Sequence, residues 1–243
     1  FRIDYQPKVD VETGRITALE ALIRWQHPDL GLLSPADFVA LAEETGLIIP
    51  IGEWVLREAC RTNRTWQDAG LPKVRVAVNL SGFQLQHRDL VQTVAGILQE
   101  TRLEGGYLEI EITETVIMQN PEFVAGLLTQ LSEMGIHISI DDFGTGYSSL
   151  AHLKRFSVNT LKIDRSFVRD ILENSADEAI TSAIISMGNS LNLKVIAEGV
   201  ETEEQFALLK QKHCDEMQGY LFSKPIPADA FAVLLREDRR LRR

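Results

Sequence analysis

The sequence predicts an α/β fold closed into a (β/α)8 barrel, a modified TIM type whose first strand runs antiparallel. Three observations carry this expectation. Strand-like and helix-like segments alternate along the chain, which favours a parallel sheet. The length of 243 residues suits a single barrel of this kind. The first two strand-like segments, Phe1–Pro7 and Ile16–Arg24, are joined only by a short turn ending near Gly14. A parallel crossover needs roughly a dozen residues or more, so this pair must be antiparallel. A doubly wound open sheet is the alternative architecture.

The later strands are expected at Val74–Leu80, Leu108–Thr113, Ile136–Asp141, Thr160–Asp164 and Lys194–Glu198, with one more near Gln218. Helices lie between them. Ser34-Pro35 and Asn120-Pro121 read as an N-cap followed by proline in the first turn. Ser175 with Glu178, and Thr202 with Gln205, fit the capping box. Phe123, Val124, Leu127, Leu128 and Leu131 mark one buried helix face, and Ile180, Ala183, Ile184, Met187 and Leu191 another. Gly46, Gly70 and Gly135 sit where helices should stop. The expected domain spans 1–235. Residues 236–243 form a basic tail, five Arg against Glu237 and Asp238, read as a frayed helix end or linker.

Composition narrows the function. Lys plus Arg total 25 and Asp plus Glu 35, a net charge of −10 with a mean hydropathy of −0.06. That balance disfavours binding to a nucleic-acid polymer. An acidic protein that handles a phosphate anion needs local positive charge, and bound metal is one source. No run approaches the roughly 18 apolar residues of a membrane span. Cys60 and Cys214 form no CxxC pair and read as reduced cytosolic thiols. A start at Phe1 rather than Met is read as a piece of a longer chain, with any sensory or membrane segment upstream.

The strands share a further pattern. Successive side chains point to opposite faces. Val74, Val76 and Val78 therefore oppose Ala77 and Asn79, and Leu108, Ile110 and Ile112 oppose Glu109 and Glu111. Ile136, Ile138 and Ile140 oppose His137, Ser139 and Asp141, while Leu161 and Ile163 oppose Lys162 and Asp164. Val195 and Ala197 oppose Ile196 and Glu198. With the apolar face on the helices, each strand sends a polar group towards the axis near its C-terminal end, where barrel active sites lie. Glu20 and Gln218 complete the ring. Glu20, Glu111, Asp141, Asp142 and Glu198 together would repel one another severely without cations.

The five histidines, His27, His87, His137, His152 and His213, show no HExxH or other ligand spacing, which disfavours zinc and iron. Carboxylates with an Asn amide suit Mg²⁺ or Mn²⁺. The adjacent Asp141-Asp142 could serve two ions about 3.5–4 Å apart, the clamp of phosphoryl transfer. Lys162 reads as a cation that positions water or stabilises phosphoryl charge, and Glu198 as an acceptor of the water's proton. Gly144–Ser149 lacks the third glycine of GxGxxG and the Walker lysine, so it reads as a tight loop beside the metals.

These residues fall in a specific order. Glu20-Ala21-Leu22, Asn79-Leu80-Ser81, Glu111-Ile112-Thr113-Glu114, Asp141-Asp142-Phe143-Gly144, Leu161-Lys162-Ile163-Asp164, Glu198-Gly199-Val200-Glu201 and Gln218-Gly219-Tyr220 follow one another along the chain. The chain strongly resembles EAL-domain cyclic-di-GMP phosphodiesterases from Tyr5 to Pro225. The resemblance implies a barrel with one antiparallel strand and hydrolysis of cyclic di-GMP to linear pGpG by two Mg²⁺ or Mn²⁺ ions. It implies Glu20, Asn79, Glu111, Asp141 and Asp142 as metal ligands. Lys162 would orient the attacking water, and Glu198 would be the general base or a second-metal ligand. Gln6, Arg24, Asp164 and Gln218 would line the substrate pocket, with Arg24 suited to phosphate by its planar donor fork. Glu114, and with it Glu201, would support the loop Asp142–Leu150.

The resemblance further implies a homodimer, and upstream sensory or GGDEF-type domains serving bacterial second-messenger signalling and biofilm control. Lys8 stands where the family often carries an apolar residue, and no consequence is assigned to it. A sensor that binds cyclic di-GMP without cleaving it is the alternative, though the full ligand set favours catalysis. An enolase-like barrel with a Lys base is a third reading, opposed by the Gln6 and Gln218 matches.

Overall fold

A computed structural model describes residues 1–146 and 153–241. In chain order its elements are β1 (Arg2–Asp10), β2 (Ile16–His27), β3 (Gly31–Leu33), α1 (Pro35–Glu44), α2 (Ile48–Asp68), β4 (Arg75–Asn79), α3 (Gly82–Leu85), α4 (Leu90–Thr101), β5 (Leu108–Thr113), α5 (Glu114–Gln119) and α6 (Pro121–Glu133). There follow β6 (His137–Phe143), β7 (Thr160–Ile163), α7 (Arg165–Arg169), α8 (Ser175–Ser190), β8 (Lys194–Glu198), α9 (Glu203–Gln211), β9 (Glu216–Gln218), β10 (Ile226–Pro227) and α10 (Ala228–Arg236).

The sheet closes on itself. Pairing runs β1-β9-β8-β7-β6-β5-β4-β2 and returns through β1–β2, a ring of eight strands. All pairs from β2 to β9 are parallel, whereas β1 is antiparallel to both of its ring neighbours. The expected antiparallel entry and closed barrel are both present, and the open-sheet alternative is excluded. The short strands β3 and β10 extend β2 and β1 outside the ring.

The alternation predicted for the strands decides the layering. Val76, Val78, Leu108, Ile110, Ile112, Ile138, Ile140, Leu161, Ile163 and Val195 join the buried apolar core. On the opposite face, polar side chains meet across the barrel: Ser139 donates to Glu109 over 2.6 Å, and Lys162 to Glu111 over 2.8 Å.

The expected helix signals hold with three exceptions, one of them Phe123, which stands exposed beside the buried Val124, Leu127, Leu128 and Leu131 of α6. Asn120 accepts from the Phe123 N–H, Thr202 and Gln205 form a capping box, and Asp37 accepts from the Ser34 N–H. Gly46, Gly70 and Gly135 take φ of +72°, +74° and +80°, the left-handed conformation that ends a helix without a Cβ penalty. Another is the Ser175–Glu178 box. Asn174 is the actual cap, one residue earlier, and accepts from the Ala176 N–H. The third is the buried face of α8, which consists of Thr181, Ile184, Ile185 and Gly188, while Ile180 and Ala183 are exposed. A methyl group on Gly188 would lie 2.3 Å from Val195, so the small residue sets the helix close on β8. Apolar spacing misses that face because a threonine and a glycine hold half of it.

Both cysteines are free and buried, with burial pushing each thiol up to about 12. Beyond α10 the chain is not frayed as far as it is described: the Leu241 N–H bonds the Gly14 carbonyl at 2.9 Å, and Arg240 bridges Arg15.

Gly219 follows directly on β9. A Cβ there would lie 2.0 Å from the Val200 carbonyl oxygen, a backbone atom that cannot rotate away. Gly219→Ala is therefore expected to cost about 1–3 kcal/mol through overpacking, read as a fall in Tm by thermal unfolding. It should also displace Gln218 from the barrel mouth.

Candidate active site

The C-terminal ends of the parallel strands gather the expected residues into one cluster. Glu20 projects from β2, Asn79 from β4, Glu111 from β5, Asp141 from β6, Lys162 from β7, Glu198 from β8 and Gln218 from β9. The two oxygens of Glu20 accept separately, one from Asn79 Nδ2 at 2.6 Å and one from Gln218 Nε2 at 2.6 Å. Gln218 Nε2 also donates to Gln6 Oε1 at 3.1 Å, and Gln6 Nε2 donates to the Ser223 carbonyl. Four of the proposed ligand or pocket residues are thus already linked.

Lys162 is the hub. Its fully buried Nζ lies 2.7 Å from Glu198 Oε1, 2.8 Å from Glu111 Oε2, 3.0 Å from Asp141 Oδ2 and 4.0 Å from Glu20 Oε2. Burial alone would drive off its proton. Asp141, Glu111 and Glu198 outweigh that penalty and hold its pKa well above the ordinary lysine value. One monovalent cation thus serves four carboxylates.

The acids register the shortfall. Burial, then the Asp141 charge, pushes Glu198 well above the usual carboxylate range despite Lys162. Burial, with Asp141 and Asp164 beside it, pushes Asp142 up to about 6. Burial raises Glu111 as well, against the pull of Lys162 and Lys8. Proton uptake by crowded acids is the ion-free way of relieving repulsion, and a divalent cation would do it more completely.

The backbone of β6 aims the acidic pair. Strict alternation would turn Asp142 away from Asp141. The register with β7 instead slips between Ile140 and Phe143, and Asp142 adopts φ +51°. This irregularity brings both carboxylates to one side. Asp141, Asp142 and Glu198 can each offer an oxygen so that the three lie within 4.8 Å of one another. The strand runs on to Phe143, so Asp142 belongs to it and not to the following loop. An all-oxygen set of this size fits Mg²⁺ or Mn²⁺.

The remaining expected residues divide. Arg24 is only partly exposed, with Nη1 on the Ile23 carbonyl at 2.9 Å and Nε 3.5 Å from Asp4. Asp164 caps α7 through the Ser166 N–H at 3.0 Å and the Ser166 hydroxyl. Burial raises the Asp164 pKa, but these bonds outweigh it and hold the carboxyl below its ordinary value. Glu114 is buried and accepts the Gly144 N–H at 2.8 Å, at the start of the loop after β6. Glu201 has an exposed side chain, and its N–H donates to Gln205 at 2.8 Å. Tyr147 to Leu150 and His152 lie outside the described residues, and with them the end of the expected loop Asp142–Leu150. A cavity of about 470 Å³ opens beside Asn79, with Leu22, Ile23, Val39 and Ile51 among its walls.

Comparison with known proteins decides the family: the EAL domain model matches residues 1–225. The chain belongs to the EAL domain family. Its relatives include the bifunctional diguanylate cyclase/cyclic di-GMP phosphodiesterase MucR of Pseudomonas aeruginosa. The two are 49% identical over 93% of this chain and 33% of MucR. Cyclic di-GMP phosphodiesterase NbdA of the same organism is 47% identical over 98% of this chain and 30% of its own length. This EAL domain thus spans about a third of the length of these curated relatives. Among solved structures, the MucR phosphodiesterase in complex with c-di-GMP superimposes with a TM-score of 0.92. It is 49% identical, and the match covers 94% of this chain and 93% of that one. Among the described residues, no helix of this EAL domain is long and apolar enough to cross a membrane.

Proposed function

We propose that this EAL domain hydrolyses cyclic di-GMP to linear pGpG with two Mg²⁺ or Mn²⁺ ions. The observation that carries the reading is the crowding of Glu20, Glu111, Asp141 and Glu198 around Lys162, with Asp142 brought alongside. Uncompensated acids at a barrel mouth serve no purpose in stability, and they match what a phosphodiester centre needs. The likeness to the MucR phosphodiesterase in complex with c-di-GMP, at 49% identity, supports the choice of substrate.

Glu20, Asn79, Glu111 and Asp141 would hold one ion, and Asp141 with Asp142 the other. Such a pair supplies a nucleophile at neutral pH and neutralises charge on the phosphate. The protein's own groups do the rest. Lys162 fixes the orientation of the acids and offers a donor towards the attacking water. Gln218 and Gln6 hold Glu20 in place. Arg24 presents a guanidinium to phosphate, and the apolar cavity beside Asn79 offers walls for a base. Glu198, adjacent to Lys162, is placed to take a proton or to hold the second ion.

The decisive experiment incubates purified protein with cyclic di-GMP and Mg²⁺ and follows pGpG by chromatography. Product is expected with Mg²⁺ and none in excess EDTA. Tight binding of cyclic di-GMP with no product under either condition would replace this reading with that of a sensor.

A further inference from the structure

Below the cluster just described lies a second polar layer that the proposed chemistry does not use. Lys8, on β1, is fully buried. Its Nζ lies 2.5 Å from Glu111 Oε1 and 2.7 Å from Glu109 Oε1. Burial works against its charge, but Glu109 and Glu111 outweigh it and raise its pKa above the ordinary value.

The two carboxylates depend on Lys8 unequally. Glu109 has other donors: the Ser139 hydroxyl at 2.6 Å on Oε1 and Arg75 Nε at 3.3 Å on Oε2. Glu111 is held between two lysines, Oε1 by Lys8 from below and Oε2 by Lys162 from the cluster side. Among the described residues, Lys8 is the donor to Oε1. Without it, Lys162, shared with three other acids, is the remaining cation on the Glu111 carboxylate among the described residues.

We propose that Lys8 is a positioning residue of the metal centre, clamping Glu111 Oε1 so that Oε2 is presented to a divalent cation. This rests on the two-ion reading above. The cation behind a carboxylate ligand does what a hydrogen-bonding partner behind a metal-binding histidine does: it selects one orientation in advance. The competing account is that Lys8 merely neutralises Glu109.

The two accounts separate in a set of three proteins examined by Mn²⁺ titration calorimetry and thermal unfolding. Lys8→Met alone leaves two buried acids facing each other and is expected to lower Tm. Lys8→Met combined with Glu109→Gln removes one charge of each sign, so the field at the cluster is balanced and stability returns. Glu109→Gln alone keeps Lys8 on Glu111. The double variant is expected to recover Tm yet bind Mn²⁺ roughly 10–100-fold more weakly than wild type. Glu109→Gln should stay within about twofold of wild type. Equal Mn²⁺ affinity in the double variant and Glu109→Gln would overturn the role of Lys8. Absence of Mn²⁺ binding by the wild type would overturn the metal reading itself.

Discussion

Glu198→Gln is expected to lower kcat for cyclic di-GMP hydrolysis by roughly 10²–10⁴-fold while Tm stays level or rises. The carboxylate is held against its preference. Burial and Asp141 both disfavour its charge, and Lys162 at 2.7 Å is its compensation. A neutral isostere removes one of the four acids that share that lysine, so the ion-free protein loses no stabilising charge. Turnover has the opposite need, because an amide can neither accept the water's proton nor match a carboxylate as a ligand. The number of Mn²⁺ ions bound then separates the two roles. One ion lost marks Glu198 as a ligand, and two retained with turnover gone mark it as the base. A normal rate would remove Glu198 from the reaction altogether.

Lys162→Met is expected to destabilise the protein by about 3–5 kcal/mol in EDTA, the cost of leaving buried charges without their partner. Glu111 and Asp141 lie within 3.0 Å of the ammonium, and Glu111 is fully buried. Added Mg²⁺ should restore part of this loss, because a cation that binds only the folded state stabilises it by mass action. Urea unfolding with and without Mg²⁺ measures both quantities. A deficit that Mg²⁺ leaves unchanged would contradict the view that Lys162 stabilises the acids in the ion-free protein. Turnover should be absent in either case.

Much of this architecture was legible because a strand has a period of two. Once valines and isoleucines are assigned to the helix side, Asn79, Glu111, Asp141, Lys162 and Glu198 can only face the axis. The short link before Ile16 likewise forces β1 to run against its neighbours. The features that escaped depend on partners remote in sequence or on departures from regular geometry. Lys8 draws its meaning from Glu109 and Glu111, about a hundred positions away, so no local pattern flags it. Asp142 was legible as a ligand beside Asp141, but not the slipped register and left-handed φ that bring it to the cluster. The packed side of α8 includes Thr181 and Gly188, which hydrophobic spacing does not count. Gly219 matters because of the backbone of Val200, which only tertiary contact brings near.

The reversed first strand also sets Arg2 and Leu241 at opposite ends of the barrel. Arg2 pairs with Arg24, and the Phe1 ring packs near Trp25 and Trp54, on the rim formed by the C-terminal ends of the parallel strands. Leu241 is fastened to Gly14 on the opposite floor. A bulky label on the side chain of Arg2 would therefore stand at the opening, whereas one on Arg240 would sit on the underside and leave access free.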